Sequence, residues 1–165
     1  MRRIPTALRV AISVATIAVA SCSQASDGDR WTDRSPHRVS YLTVNGLRLQ
    51  HLDWGGTADP AVFVHGSGDS PHYFDEIATA LVANHRVIAP ARRGHGQSEV
   101  PSTPFSIDDL TDDLLELLDA LHLEKVALIG FSFGGNEITR FAERFPDRVS
   151  RLLYLDAALE RSRTE

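Results

Sequence analysis

Cysteine is almost absent from this chain. Cys22 stands alone among 165 residues, so no internal disulfide can help hold the fold. Basic excess is absent as well. A formal net charge of −5 and a pI near 5.8 exclude nucleic acid as a natural partner, because phosphate binding needs a basic face. No apolar run reaches the roughly 20 residues that a bilayer-spanning helix takes. Internal repeats and long low-complexity runs are missing too. The seven histidines all precede residue 132, which leaves the C-terminal part without an imidazole. What is present is ordinary: 42% hydrophobic and 24% charged residues over a length that suits one domain.

The N-terminus reads as a targeting segment and is set apart from the fold. "MRRIPTALR" is a short basic stretch, and "VAISVATIAVAS" is an apolar run suited to the core of an export signal. The run ends in "VASC", Val19 to Cys22, which resembles the bacterial lipobox. On that reading residues 1–21 are a signal peptide and Cys22 is acylated after cleavage. Residues 22–37 form a flexible tether, and the domain faces the periplasm or cell exterior. A lipid anchor would be the only membrane attachment, stable if more than one chain is added. The alternatives are plain secretion after cleavage at Ala25 and a single uncleaved anchor.

From about residue 38 strand and helix patterns alternate. "VSYLTV" and "LRLQHLDW" flank Asn45-Gly46, a hairpin signal because both residues tolerate positive φ. "AVFVHG", "RVIAPA", "KVALIG" and "VSRLLYLDAA" are short continuous apolar runs, read as strands buried on both faces. "YFDEIATALVANH" carries Phe74, Ile77, Ala78 and Leu81 at helical spacing. "SIDDLTDDLLELLDALHL" is the clearest helix. Ser106 can cap it, Asp108 and Asp109 suit its positive end, and Ile107, Leu110, Leu114, Leu117, Leu118 and Leu121 make its buried stripe. Its acidic residues read as a solvated face rather than a metal site. "FGGNEITRFAERF" is a helix closed by Pro146. A hairpin followed by this alternation predicts an α/β fold: a mostly parallel sheet covered by helices on both faces.

Three loops carry chemistry. In "ALIGFSFGGNE" the pattern G-x-S-x-G falls where a strand hands over to a helix, the context in which it marks a nucleophile. Gly130 and Gly134 leave room for a tight turn that projects Ser132, and Gly135 lets the helix pack close to its neighbours. The Phe133 N–H, at the helix start, points where an oxyanion would develop. In "FVHGSGDS" the N–H of Ser67 can supply a second oxyanion donor, while Ser67 and Ser70 themselves lack the nucleophile pattern. His65 reads as structural, bonded within its loop. In "ARRGHGQSEVP" Gly94, Gly96 and Ser98 make a tight loop, and His95 is a weak candidate for a base against a packing role.

The joint order of "VNGLRLQ", "VHGSG", "RRGHGQS" and "GFSFGG" resembles the α/β-hydrolase superfamily, particularly its bacterial esterases, haloperoxidase-like and epoxide-hydrolase-like enzymes. The resemblance runs from about Tyr41 to Leu159. It implies a three-layer α/β-hydrolase fold, Ser132 as nucleophile, and the Ser67 and Phe133 N–H groups as oxyanion hole. It also implies a small-molecule acyl substrate and no metal or organic cofactor. Ala91 departs from the aspartate of many relatives, which bears on loop structure. Epoxide hydrolases and haloalkane dehalogenases use an aspartate nucleophile, so Ser132 argues for acyl transfer to water.

In the family an acid and then a histidine follow the serine, usually after the seventh and eighth strands. Asp156 occupies the position some members use for the acid; otherwise it ends its strand and caps the next segment. No histidine has the family position. Residues 38–165 therefore read as an incomplete domain, truncated after about the sixth strand. Two further strands with their helices would take about 60 more residues, at roughly 30 per βα unit. The chain thus reads as cut by an incomplete reading frame or by genuine truncation, with the last strand left as an open edge. The expected activity is that of a serine hydrolase for the full-length protein, with little for these residues alone. A haloperoxidase-like perhydrolase or carbon–carbon bond hydrolase uses the same site. A non-catalytic binding domain keeping the fold is the alternative of another class.

Overall fold

A computed structural model describes residues 33 and 35–157. The chain divides into two units, Met1–Asp33 and Arg34–Glu165. The expected signal peptide, Cys22 and most of the expected tether lie outside the described residues. All the strands and helices described belong to the second unit.

The hairpin forms where Asn45-Gly46 allows it. Strand β1 (Arg38–Val44) and strand β2 (Leu47–Gly55) run antiparallel with Val44 opposite Leu47. Asn45 and Gly46 take φ of 47° and 79°, the doubly positive turn that matches the strands' twist. Strands β3 (Pro60–Val64), β4 (Arg86–Pro90), β5 (Val126–Phe131) and β6 (Val149–Leu155) complete a six-stranded sheet. Its order is β1-β2-β4-β3-β5-β6, with β2 antiparallel to β4 and every later pairing parallel. From β3 the chain goes to one side to lay down β4 and then to the other for β5. The strand order thus reverses between β3 and β5, the crevice where open α/β sheets bind ligands.

Period-two alternation divides the strands between two cores. Val62, Val64, Ile88 and Leu128 join Leu114, Leu117, Leu118, Ile138 and Phe141 from helices α2 (Ile107–Ala120) and α3 (Phe133–Arg144). Ala61, Phe63, Val87, Ala89 and Ile129 face the other way, against Phe74 of a 3₁₀ turn (Pro71–Phe74) and Ala78 of helix α1 (Asp75–Leu81). The arrangement is the expected three-layer α/β fold. Ser106 caps α2 through a reciprocal pair: its Oγ accepts from the Asp109 N–H, and Asp109 Oδ2 accepts from the Ser106 N–H at 2.7 Å.

Three expectations need correction. Strand β6 is the open edge expected, since among the described residues it pairs only with β5, but it is not buried on both faces: none of its residues is fully buried and Leu153 is 45% exposed. Ile77 is exposed, because the short α1 turns Ala78 and Leu81 toward the sheet, beside Phe74 of the preceding turn. The acidic residues of α2 are not simply a solvated face. Asp113 is buried and accepts two bonds from Arg93, at 2.6 and 2.7 Å, while Asp108, Asp112 and Asp119 pair with Arg140, Arg144 and Arg148.

Candidate active site

Strand β5 ends at Phe131 and α3 begins at Phe133, so Ser132 alone reverses the chain. It does so at φ 50° and ψ −119°, a conformation that costs a non-glycine residue about 1–3 kcal/mol. The surrounding glycines permit the turn because there is no space for anything else. A β-carbon at Gly130 would lie 2.6 Å from the Gly134 carbonyl oxygen, and one at Gly134 would lie 2.2 Å from that of Val64. One at Gly135 would lie 2.4 Å from Ala157 Cβ, so α3 packs against the segment after β6 as well as against β3. The Ser132 N–H donates to the Leu155 carbonyl at 3.2 Å, and the Ser132 carbonyl accepts from the Gly135 N–H at 3.0 Å. The elbow is thereby held between three parallel strands with its hydroxyl exposed.

The loop after β3 closes on this serine. A β-carbon at Gly66 would sit 3.2 Å from Ser132 Cβ and 3.2 Å from Phe131 Cδ1, so glycine allows the approach. Ser67 comes next, exposed, and its amide has no acceptor among the described residues. The Phe133 amide is the first of α3 and has no partner within the helix. The fold therefore brings the two amides assigned from sequence to the loops flanking Ser132.

Beneath them lies a buried polar network. The His65 ring is fully buried; Nδ1 donates to the Gly66 carbonyl at 2.8 Å, and Nε2 accepts from the Arg92 N–H at 3.3 Å. Burial, helped by the neighbouring Arg92 cation, pushes its pKa down to about 3, so the ring is neutral and structural, as expected. Arg92 donates to the His65 carbonyl, to the Gly66 carbonyl at 3.3 Å, and to Glu137 of α3 at 2.5 Å. Burial raises the Glu137 pKa while Arg92 opposes the rise. A cavity of about 20 Å³ beside the pair, lined by Arg92, Asp113 and Glu137 among others, has room for one water. One cation thus links the loop after β4, the loop after β3 and the helix that follows Ser132. Sequence reading passed over this network. Its signal was Glu137, a charge on the face of α3 that also carries Ile138 and Phe141 to the core.

His95 does not serve Ser132. Its Nε2 accepts from the Gly68 N–H at 3.4 Å and its Nδ1 donates to the Arg93 carbonyl at 3.1 Å, which is the packing role. Gly94 and Gly96 take φ of 74° and 54°, and Ser98 Oγ donates to the Ala91 carbonyl at 2.7 Å, giving the tight loop expected. Among the described residues no hydrogen bond reaches the Ser132 hydroxyl. Asp156 is exposed at φ 43°, one residue beyond the Leu155 carbonyl that holds the Ser132 amide. Tyr73 stacks on Phe131 with ring centroids 4.3 Å apart and Phe133 is partly exposed, so aromatic surface flanks the serine on two sides.

These features define a class: a glycine-packed strand–turn–helix elbow with an exposed serine at the switch point of a mostly parallel sheet, facing the glycine-containing loop after β3. The family model for the alpha/beta hydrolase fold matches residues 59–163. The chain belongs to the α/β-hydrolase family. It is 37% identical over 118 residues to a non-heme chloroperoxidase of Streptomyces lividans, covering 70% of this chain and 43% of that one. Among solved structures, the epoxide hydrolase CorEH matches with TM-score 0.71 and 34% identity, covering 73% of this chain and 42% of that chain. A meta-cleavage product hydrolase from Pseudomonas fluorescens IP01 matches with TM-score 0.69 and 30% identity, over 72% of this chain and 45% of that chain. The chain spans less than half the length of the curated relatives it matches, 36% of an uncharacterized protein of Mycobacterium bovis, to which it is 32% identical over 125 residues, and 43% of the chloroperoxidase.

Proposed function

We propose that these residues are the nucleophile-bearing part of a serine hydrolase that cleaves a carboxylic ester or related acyl bond. The observation that carries the reading is the positive φ of Ser132 in a glycine-packed elbow, with the Gly66 backbone against its side chain. Ser132 Oγ attacks the acyl carbon and its proton passes to a histidine base. The N–H groups of Ser67 and Phe133 hold the oxyanion. Loss of one such donor typically costs about 10²–10³ in turnover. The bond to the leaving group breaks as that group takes the proton. Water then repeats the sequence on the acyl-enzyme, releasing the acid and restoring Ser132.

No described histidine bonds Ser132, so the proposal places the base in the part of the relatives' length that this chain does not span. Asp156 is offered as the acid that orients it. A serine without its base is a weak nucleophile, and residues 1–165 alone are assigned little turnover. The similarity to a chloroperoxidase and a meta-cleavage product hydrolase supports a second reading, in which the same serine acts in perhydrolysis or carbon–carbon bond cleavage. Export with an acyl anchor on Cys22 belongs to the same proposal. Palmitate labelling that survived Cys22→Ala would remove that part.

The test is hydrolysis of p-nitrophenyl acetate by a chain read through past residue 165, beside its Ser132→Ala variant. The proposal expects a loss on the order of 10³-fold or more in the variant. No turnover by the extended chain would favour the non-catalytic binding domain.

A further inference from the structure

Away from Ser132, two imidazoles and a carboxylate converge on one point. His37 comes from the residue before β1, His72 from the 3₁₀ turn, and Asp75 from the first position of α1. Nδ1 of His37 lies 3.1 Å from Asp75 Oδ1, and Nδ1 of His72 lies 3.1 Å from Asp75 Oδ2. One ligating atom from each of the three residues lies within 4.8 Å of the others. The two rings are tilted, with centroids 5.0 Å apart, so they meet the carboxylate from different directions.

We propose that His37, His72 and Asp75 form a binding site for a divalent transition-metal ion of the zinc class. The donor set is the kind such ions take: neutral imidazole nitrogen and carboxylate oxygen. The spacing fits as well. Metal–ligand distances of about 2.0–2.2 Å at tetrahedral angles separate neighbouring donor atoms by roughly 3.3–3.5 Å. The two 3.1 Å separations run to the two oxygens of Asp75, and one donor atom from each residue lies within 4.8 Å of the others, so a closing of the side chains by up to about 1.5 Å brings them to that spacing. On binding, each neutral ring presents an unprotonated Nδ1 to the ion and carries its single proton on Nε2.

The surroundings are graded in the way a site requires. The His37 side chain is 1% exposed and packs edge-on against Trp54 at 5.2 Å, which fixes the orientation of one ligand. The side chains of His72 and Asp75 are 29% and 22% exposed, so these two donors reach solvent. An ion here would tie the start of β1 to the turn that carries Tyr73, and through the stack on Phe131 to the neighbourhood of Ser132. The site does not depend on the catalytic reading. Its failure would leave the Ser132 proposal untouched.

The test uses purified residues 1–165, stripped with a chelator. Zn²⁺ is titrated in competition with a chromophoric chelator, and Co²⁺ is added separately to read coordination from its visible absorption. One ion per chain, a Co²⁺ spectrum of tetrahedral type and a raised melting temperature with Zn²⁺ are expected. At least tenfold weaker binding is expected in both His72→Ala and Asp75→Asn. The Co²⁺ spectrum of the unsubstituted protein is read without any variant, so a variant that failed to fold would not blunt the test. Absence of binding, or affinity unchanged in both variants, overturns the site.

Discussion

Two arginine–carboxylate contacts sit three residues apart along α3 and behave in opposite ways. Glu137 meets Arg92 at 2.5 Å, and Arg140 meets Asp108 at 2.6 Å. The lengths are nearly equal; the surroundings are not. Both side chains of the first pair are almost wholly buried, and burial raises the Glu137 pKa in spite of its partner. Those of the second are 41% and 48% exposed, and the bond from Arg140 lowers the Asp108 pKa. A buried pair must offset its own desolvation, so removing one member leaves an uncompensated charge. An exposed pair is screened, and its loss is barely felt. The buried pair also lies under the loops that flank Ser132, so the contrast separates the site's foundation from its surface.

Breaking the comparison should give effects in a definite order. Arg92→Met strands Glu137 in the core and should cost about 3–5 kcal/mol in a urea melt. Acid should be the next largest lever, through His65. Its folded pKa lies near 3 against about 6.5 when unfolded, so its contribution is complete above pH 6.5 and is lost as pH falls toward 3. The loss is on the order of 4 kcal/mol, and His65→Gln should flatten that limb of the stability–pH curve. Gly134→Ala forces a methyl group toward the Val64 carbonyl and should cost about 1–3 kcal/mol, read from the denaturation midpoint. Glu137→Gln, read from urea midpoints across pH, should remove a decline in stability. The raised folded pKa makes the native state bind more protons, so stability falls as pH climbs above the usual carboxylate range. Asp108→Asn should leave the melt at pH 7 unmoved within error. A large change there would mean that exposure does not set the order.

The parts of the fold with strong local signals were legible. The hairpin rested on the positive φ that Asn45-Gly46 tolerates, and the capped α2 on Ser106 and its leucine stripe. The elbow was legible because G-x-S-x-G lay between a strand and a helix pattern. Non-local information was what escaped. The open edge at β6 was expected, but nothing in "VSRLLYLDAA" says which of its apolar side chains stay uncovered, as Leu153 does. The pairings of Arg92 with Glu137 and of Arg93 with Asp113 span 45 and 20 residues, beyond the reach of any local pattern. Asp113 looked like one more solvent-facing acid because its partner belonged to a different loop.

The central claim is that Ser132 is held ready to attack and gains its rate from a base outside the described residues. Fluorophosphonate labelling, located by mass spectrometry, tests it most directly on residues 1–165 and on a chain read through past residue 165. The account predicts rapid labelling of Ser132 in the longer chain and slow labelling in the shorter. Rapid labelling of Ser132 in residues 1–165 alone, or a label on a different serine in the longer chain, would contradict it.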